Sequence, residues 1–261
     1  MKNTNFPIID ALSLRDELIR NKELFFKLSK TTRIKKLENP EIFDLEIEKT
    51  VNLGLKGFRS KRKCFIEHKI KEKLVYSYSN IGTIAVDKII SRYLAKIYNL
   101  KLWSRDEIIS ILLHHLREPT SYGVLRLDIK NFYETINTKE LLKELQKTEL
   151  QLKHLSFIKS TFLKGGRGIK RGLPLSQVLS EICLQNLDEI FRQTNGVFFY
   201  ARFVDDIIVI YDGKNKLDIN QIKEITNFLT KYKLEFHSDN EKEFNQIISK
   251  INKKTTYKDI K

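Results

Sequence analysis

Cysteine is scarce in this sequence, and so are proline and long apolar runs. Cys64 and Cys183 are the only cysteines among 261 residues, so the chain has neither a disulfide framework nor the paired spacing of a zinc motif. That usage suits a reducing cytoplasm. Four prolines and ten glycines form no linker-like stretch, and no apolar run approaches the length of a membrane span. The N-terminal segment also lacks an apolar signal core, so we expect a cytoplasmic protein without a membrane partner.

Acidic residues are also few relative to basic ones. Lys and Arg total 48 against 33 Asp and Glu, which gives a formal net charge of +15 and a pI near 9.6. Such an excess indicates a polyanionic partner, with nucleic acid the first candidate, although a merely lysine-rich surface is the alternative. The hydrophobic content of 41% is sufficient for a sizeable core.

The order of periodic segments predicts an α+β fold. Residues 13–30 read as a helix with Ser13 as N-cap, and two further helices are predicted over 83–100 and 104–116. From residue 119 onward, the pattern predicts a strand over 123–129, helices to about 191, strands over 197–203 and 207–211, a helix over 218–232 and a short strand at 233–237. That order is typical of a small antiparallel sheet with helices on one face.

Three aspartates in this sheet are candidates for chemistry. Asp205 and Asp206 lie at a hairpin tip, where Asn-Gly or Asp-Gly would be expected, and Asp128 ends the first strand. If the strands are neighbours, three carboxylates converge on one edge, which is unfavourable without a cation. Mg²⁺ prefers oxygen ligands and takes one or two carboxylates together with substrate phosphates. Two such ions clamp the attacking and leaving oxygens of a phosphoryl transfer.

The motif around Asp128, DIKNFYETI, resembles the first palm motif of the reverse transcriptases. The resemblance implies that Asp128 is a metal ligand, with the backbone carbonyl of Ile129 as a further ligand. It also implies that Tyr133 is the steric gate, whose ring excludes a ribose 2′-hydroxyl.

Residues 168–181, GIKRGLPLSQVLSE, resemble the second motif of the same family. Gly172 and Ser176 match, whereas Lys170 replaces the usual Pro and Arg171 the usual Gln. The resemblance implies nucleotide binding by Gly172, Arg171 and Ser176, and a residue without Cβ lets the backbone lie against the incoming base and template.

FVDD, residues 203–206, resembles the paired-Asp motif of the family and implies that Asp205 and Asp206 are catalytic metal ligands. HSDNEKEF, residues 237–244, resembles the fourth motif and implies that Lys242 contacts the nucleotide, with a plain surface lysine as the alternative. In the N-terminal fingers, the candidates for triphosphate or nucleic-acid binding are four basic residues: Arg59, Lys61, Arg62 and Lys63.

The resemblance implies a right-hand polymerase with fingers and palm. We expect a helical fingers region over 1–118, a palm over 119–250 that includes part of the fingers at about 138–165, and a polar tail over 251–261 in which no thumb is evident. The forms DIKNFYETI and LSE are closest to bacterial defence-associated and abortive-infection reverse transcriptases, which implies a bacterial enzyme that acts against phage.

The activity expected from the resemblance is RNA-directed DNA synthesis from dNTPs with two Mg²⁺ ions, or with Mn²⁺ in their place. The partners are then an RNA template and a DNA product, with a non-coding RNA as a further partner or a partner protein that supplies the thumb. Untemplated or protein-primed DNA synthesis is a variant. The rival hypothesis is a catalytically incomplete, palm-like RNA-binding module or subunit. A basic structural protein would not explain the order of the motifs.

Overall fold

A computed structural model describes residues 9–20, 40–57, 65–78, 81–101, 103–116, 122–148, 150, 152–163, 168–212 and 219–237. The chain divides into two compact units, each assembled from separate segments. One unit comprises Met1–Leu100, Leu142–Lys164 and Ile169–Leu179, and the other comprises Lys101–Leu141, Gly165–Gly168 and Ser180–Lys261. Within the described part of the chain, no helix is both long and apolar enough to span a bilayer.

The described elements follow one another in a mixed order of helices and strands. They are α1 (Ala11–Arg20), α2 (Pro40–Gly57), β1 (Phe65–Ile70), β2 (Lys73–Tyr78), α3 (Ile81–Ile97), α4 (Arg105–His115), β3 (Tyr122–Asp128), α5 (Phe132–Thr135), α6 (Thr138–Gln146), α7 (Leu152–Thr161), α8 (Pro174–Gln193), β4 (Val197–Phe203), β5 (Asp206–Asp212) and α9 (Ile219–Tyr232).

The first unit packs α1, α2 and α3 against one another and carries the antiparallel β1–β2 hairpin. Leu14, Ile47 and Leu94, one from each helix, are fully buried. Asp10 and Ser13 bond reciprocally at the start of α1, because the Ser13 N–H donates to the Asp10 carboxylate and the Asp10 N–H donates to Ser13 Oγ. The prediction of Ser13 as the N-cap is therefore wrong: the helix starts at Ala11, where the Asp10 carboxylate satisfies one of its free N–H groups.

The second unit is built on a three-stranded antiparallel sheet with the order β3-β5-β4. One face of the sheet is core: Leu125, Leu127 and Val209 are buried there, and Tyr200 of β4 stacks on Phe191 of α8 at 5.3 Å. On the other face, Ile108 of α4 joins a buried cluster with residues of β4 and β5. Helices therefore touch both faces of the sheet, rather than the single face that the sequence predicts.

The predicted strands of the sheet are confirmed to within one residue at each end, because apolar and polar residues alternate there with the period of a half-buried strand. The strand predicted at 233–237 is reduced to one bridge, between Ile129 and Phe236. Helix α2 has no counterpart among the predicted elements. Residues 21–30 of the first predicted helix and the tail at 251–261 lie outside the described residues.

Candidate active site

Strand pairing brings the aspartates together. In the β3–β5 register Asp128 is directly opposite Asp206, and Asp205 lies in the turn that precedes β5. The N–H of Ile129 donates to the backbone oxygen of Asp205 at 3.1 Å, and the N–H of His237 donates to the backbone oxygen of Asp128 at 2.9 Å. The end of β3, the hairpin turn and the segment after α9 are thus joined by backbone hydrogen bonds.

The electrostatics of this edge follow from that closeness. Partial burial, followed by the charges of Asp205 and Asp206, raises the pKa of Asp128 above its ordinary value. Two basic side chains lie beside the carboxylates. Arg126 donates to Asp206 Oδ1 at 3.0 Å, and His237 Nε2 lies 3.9 Å from Asp128 Oδ2. The edge therefore concentrates negative charge at a place where a further cation would be stabilised.

Sequence reasoning missed Arg126 and His237. Arg126 precedes Asp128 by two residues on β3, so strand alternation puts both side chains on one face, and that signal was available. His237 had no signal of this kind, since only the backbone contacts between the chain after α9 and the end of β3 bring it here.

The oxygen-only chemistry of the three aspartates fits Mg²⁺, which needs only one or two carboxylates beside substrate phosphates. The described residues contain no group of three or more His, Cys, Asp or Glu side chains arranged to hold a metal ion. Asp128 and Asp206 are also only partly exposed, at 36% and 40% of their side-chain surface. The fit is therefore that of an open site, in which Asp206 would exchange its bond to Arg126 for a metal.

Tyr133 lies on the short helix α5, close in sequence to Asp128. Its side chain is 7% exposed, and its ring meets that of Phe132 edge-on at 5.5 Å. The N–H of Gly168 donates to the backbone oxygen of Ile136, just after α5, at 2.8 Å. The phenol ring is thus mostly buried and packed against Phe132, and its role as a steric gate stays a prediction.

In the other unit, Gly172 is required for backbone packing. Its φ is +96°, and a Cβ there would lie 2.7 Å from Val75 Cγ1 and 3.0 Å from the Tyr76 oxygen. Its neighbour Arg171 accepts a hydrogen bond at its carbonyl from the Tyr76 N–H at 2.8 Å. The glycine therefore has a local reason to lack a side chain, beside the nucleotide contact that the motif predicts.

The other second-motif candidate, Ser176, lies in the first turn of α8. Its side chain is fully buried, and its Oγ has no hydrogen-bond partner among the residues that the structure describes. Next to it, the Leu175 N–H donates to the carboxylate of Asp87, a fully buried side chain on α3, at 3.0 Å. The start of α8 is thus fixed by an aspartate from a different helix.

Five candidates lie outside the described residues: Arg59, Lys61, Arg62, Lys63 and Lys242.

The comparison with known proteins decides the family. The family described as "Reverse transcriptase (RNA-dependent DNA polymerase)" matches residues 69–249, which is more than half of the chain and includes all three aspartates. The chain belongs to the reverse transcriptase family. No curated protein sequence matches it.

Among solved structures, the chain is similar to telomerase from Candida albicans, determined in complex with a TWJ fragment of telomeric RNA. The identity is 13% and the TM-score 0.41, and the match covers 76% of this chain and 45% of that chain. This reverse transcriptase chain thus spans less than half the length of that relative. The mixed fold with small antiparallel sheets agrees with the fingers and palm that the sequence predicts.

Proposed function

We propose that this reverse transcriptase chain is an RNA-directed DNA polymerase, which joins dNTPs to a 3′-hydroxyl. One observation carries the proposal: inside the family match, the register of β3 and β5 sets Asp128 opposite Asp206 with Asp205 in the adjoining turn. Three carboxylates at one sheet edge oppose binding of a polyanion unless divalent cations accompany it. Clustered aspartates therefore serve catalysis better than they serve simple RNA binding.

Each carboxylate has a definite task in this mechanism. Asp128 and Asp205 would hold two Mg²⁺ ions, or Mn²⁺ in their place, with Asp206 and the carbonyl oxygen of Ile129 as further ligands. When bound, such ions activate the 3′-hydroxyl and neutralise the charge that develops on the α-phosphate and the leaving pyrophosphate. The protein contributes positioning, because a rigid sheet edge holds the acidic groups before substrate arrives.

Selection of the nucleotide is proposed for the remaining motif residues. The Tyr133 ring would abut the sugar and reject rNTPs, while Gly172, Arg171 and Ser176 would border the base and template. Arg59, Lys61, Arg62 and Lys63 would bind the triphosphate or the nucleic acid, and Lys242 the departing pyrophosphate.

The test is nucleotide incorporation by the purified chain on a primed RNA template, with dNTPs and rNTPs in separate reactions. Asp205→Asn and Asp206→Asn retain the size of the side chains but lose their charge. We expect incorporation of dNTPs by the unaltered chain and a loss of about 10³-fold or more in the double variant, because the divalent ions lose their charged ligands.

Asp106→Asn is the matched control, since Asp106 is an exposed aspartate on α4, and it should leave incorporation unchanged. Equal incorporation by the double variant and the control would contradict chemistry at the hairpin. Efficient use of rNTPs would contradict the role given to Tyr133.

A second candidate function is RNA binding without chemistry. The ion pair between Arg126 and Asp206 favours it, because a guanidinium already occupies an oxygen that a metal would use. In that case the chain would bind primed RNA, incorporate no nucleotide at any Mg²⁺ or Mn²⁺ concentration, and bind RNA more tightly after Asp205→Asn and Asp206→Asn.

We further propose that the enzyme acts in the bacterial cytoplasm in defence against phage, together with a non-coding RNA or a partner protein. The motif forms DIKNFYETI and LSE support this assignment. Bacteria that express the chain should show fewer phage plaques than bacteria that express the Asp205→Asn variant. Equal plaque counts, with equal protein levels and an active purified enzyme, would contradict it.

A further inference from the structure

The turn that carries the paired aspartates has an unfavourable backbone. Phe203 pairs with Asp206, so Val204 and Asp205 are the two central residues of the β4–β5 turn. Val204 has φ of +60°, whereas Asp205 is not among the residues with positive φ. Two-residue turns with positive φ at the first central position favour glycine there, and a β-branched residue in this conformation is strained. Something must therefore hold Val204 in place.

The side chain of Arg202 holds Val204 from the face of the sheet that packs on α8. This side chain, 4% exposed, extends from β4 toward α8. Nη1 donates to the Val204 carbonyl at 3.0 Å. The same guanidinium binds Glu181 through Nη1 and Nη2 at 3.1 and 2.6 Å, and Asp188 through Nε and Nη2 at 2.7 and 2.8 Å. The backbone of the turn is thereby tied to two carboxylates of a long helix.

These contacts use all the hydrogen-bonding capacity of the side chain. A guanidinium has five N–H groups, and five bonds are made: two to each carboxylate and one to Val204. Two fork-like pairs fix the plane of the guanidinium, so the fifth N–H can point in only one direction. Lysine at this position could not make the same set, because its ammonium group has three donors and no planar fork.

We propose that Arg202 is a positioning residue for nucleotidyl transfer: it holds Val204 in its strained conformation and so aims Asp205 and Asp206. The inference rests on the proposed function, in which those aspartates bind the catalytic metal ions. Arg202 itself touches neither substrate nor metal. Without the fifth bond, Val204 relaxes toward negative φ and the carboxylates on its C-terminal side move with it.

The same network offers a matched control. The Tyr200 hydroxyl donates to the same oxygen of Asp188 that Arg202 binds, yet Tyr200 has no bond to the turn. Tyr200→Phe removes a buried hydrogen bond and keeps the ring that stacks on Phe191. It should therefore lower stability without releasing Val204.

The experiment compares Arg202→Lys with Tyr200→Phe by two readouts: amide hydrogen exchange across residues 203–206, and kcat and KM for dNTP. In Arg202→Lys we expect faster exchange in the turn and a fall in kcat of about 10²-fold, the cost of a misplacement of about 1 Å, with a smaller change in KM. In Tyr200→Phe we expect turn exchange and kcat like those of the unaltered chain. Equal effects of the two variants on both readouts would overturn the proposal.

Val204→Gly provides the rescue. Glycine adopts positive φ without strain, so adding Val204→Gly to Arg202→Lys should restore part of kcat, and failure to restore any would contradict the strain argument.

If Arg202→Lys does not fold, Glu181→Gln loosens the same guanidinium and should also speed turn exchange relative to Tyr200→Phe; equal exchange would again overturn the proposal. Absence of incorporation by the unaltered chain would refute the proposed function, and turn exchange would still decide the role of Arg202.

Discussion

Asp87 is a buried carboxyl group with an unusual ionisation. Burial raises its pKa to about 7, although bonds from Ser91 Oγ and the Leu175 N–H oppose the rise. Because its pKa in the unfolded chain is near 3.8, the unfolded state releases the proton first as pH rises, and the folded state then binds more protons. This contribution to stability is complete below about pH 4 and is lost as pH rises to about 7.

We therefore expect Asp87→Asn to flatten this part of the pH dependence of stability. The free energy of unfolding of the unaltered chain should fall between about pH 4 and 7 by an amount on the order of a few kcal/mol relative to the variant. Urea unfolding across this range measures the difference. Asp16→Asn, on the exposed face of α1, is the control and should keep the slope. If the free energy of unfolding of Asp87→Asn depended on pH as steeply as that of the unaltered chain, Asp87 would not be the source of this pH dependence.

Gly168 is a second position where the structure restricts the residue type, because it has no room for a side chain. Its φ is +74°, and a Cβ there would lie 2.8 Å from the backbone oxygen of Glu134. We expect Gly168→Ala to lower the free energy of unfolding by about 1–3 kcal/mol, because both the backbone conformation and a backbone contact resist the methyl group.

The control for Gly168→Ala is Gly123→Ala, where the three atoms nearest to a new Cβ belong to the Tyr211 side chain rather than to backbone, and where φ is not positive. Chemical denaturation should show a smaller loss for Gly123→Ala. A Gly168→Ala variant as stable as the unaltered chain would show that the segment before α8 can shift freely.

At the scale of elements, the exposed face of β3 and β5 carries the carboxylates that we propose bind divalent cations. Arg126 binds Asp206 there, so it would compete with a metal ion for that carboxylate. Arg126→Gln should tighten Mn²⁺ binding about fivefold, which corresponds to roughly 1 kcal/mol for an exposed charge pair. Electron paramagnetic resonance of free Mn²⁺ measures the change without reference to activity.

Arg192→Gln removes a similar positive charge from the exposed surface near the end of α8 and is the control for Arg126→Gln; it should leave Mn²⁺ affinity unchanged. If Arg126→Gln binds Mn²⁺ no more tightly than this control does, the guanidinium does not compete for Asp206.

The elements that sequence predicts well are those with a local pattern. The alternation of apolar and polar residues over 123–129 and 197–211 is sufficient to predict the strands and the hairpin with its acidic tip. At the start of α4, Ser104 and Glu107 form a capping box, which is also a local pattern. The Arg202 network depends instead on the position of β4 over α8, which no local pattern specifies. The cap at Asp10 was missed because Ser13, an equally good capping residue, lies three positions further on.

At the scale of the whole molecule, the net charge of +15 makes nucleic-acid binding sensitive to salt. Neutralising six to ten phosphates releases counterions, so affinity should fall by about 10³–10⁵-fold between about 50 and 200 mM salt. Fluorescence anisotropy of a labelled RNA duplex at several salt concentrations measures the slope. An affinity that is independent of salt would contradict the inference of a polyanionic partner from composition.

The most direct test of the central claim is the choice of nucleotide opposite a known template base. The purified chain, Mg²⁺ and a DNA primer on an RNA template receive one dNTP at a time, and the first template base is then changed. We expect extension only with the complementary dNTP, a choice that changes with the template base, and no extension by Asp128→Asn. Extension that ignores the template base, or none by a chain that binds the primed RNA, would contradict RNA-directed DNA synthesis.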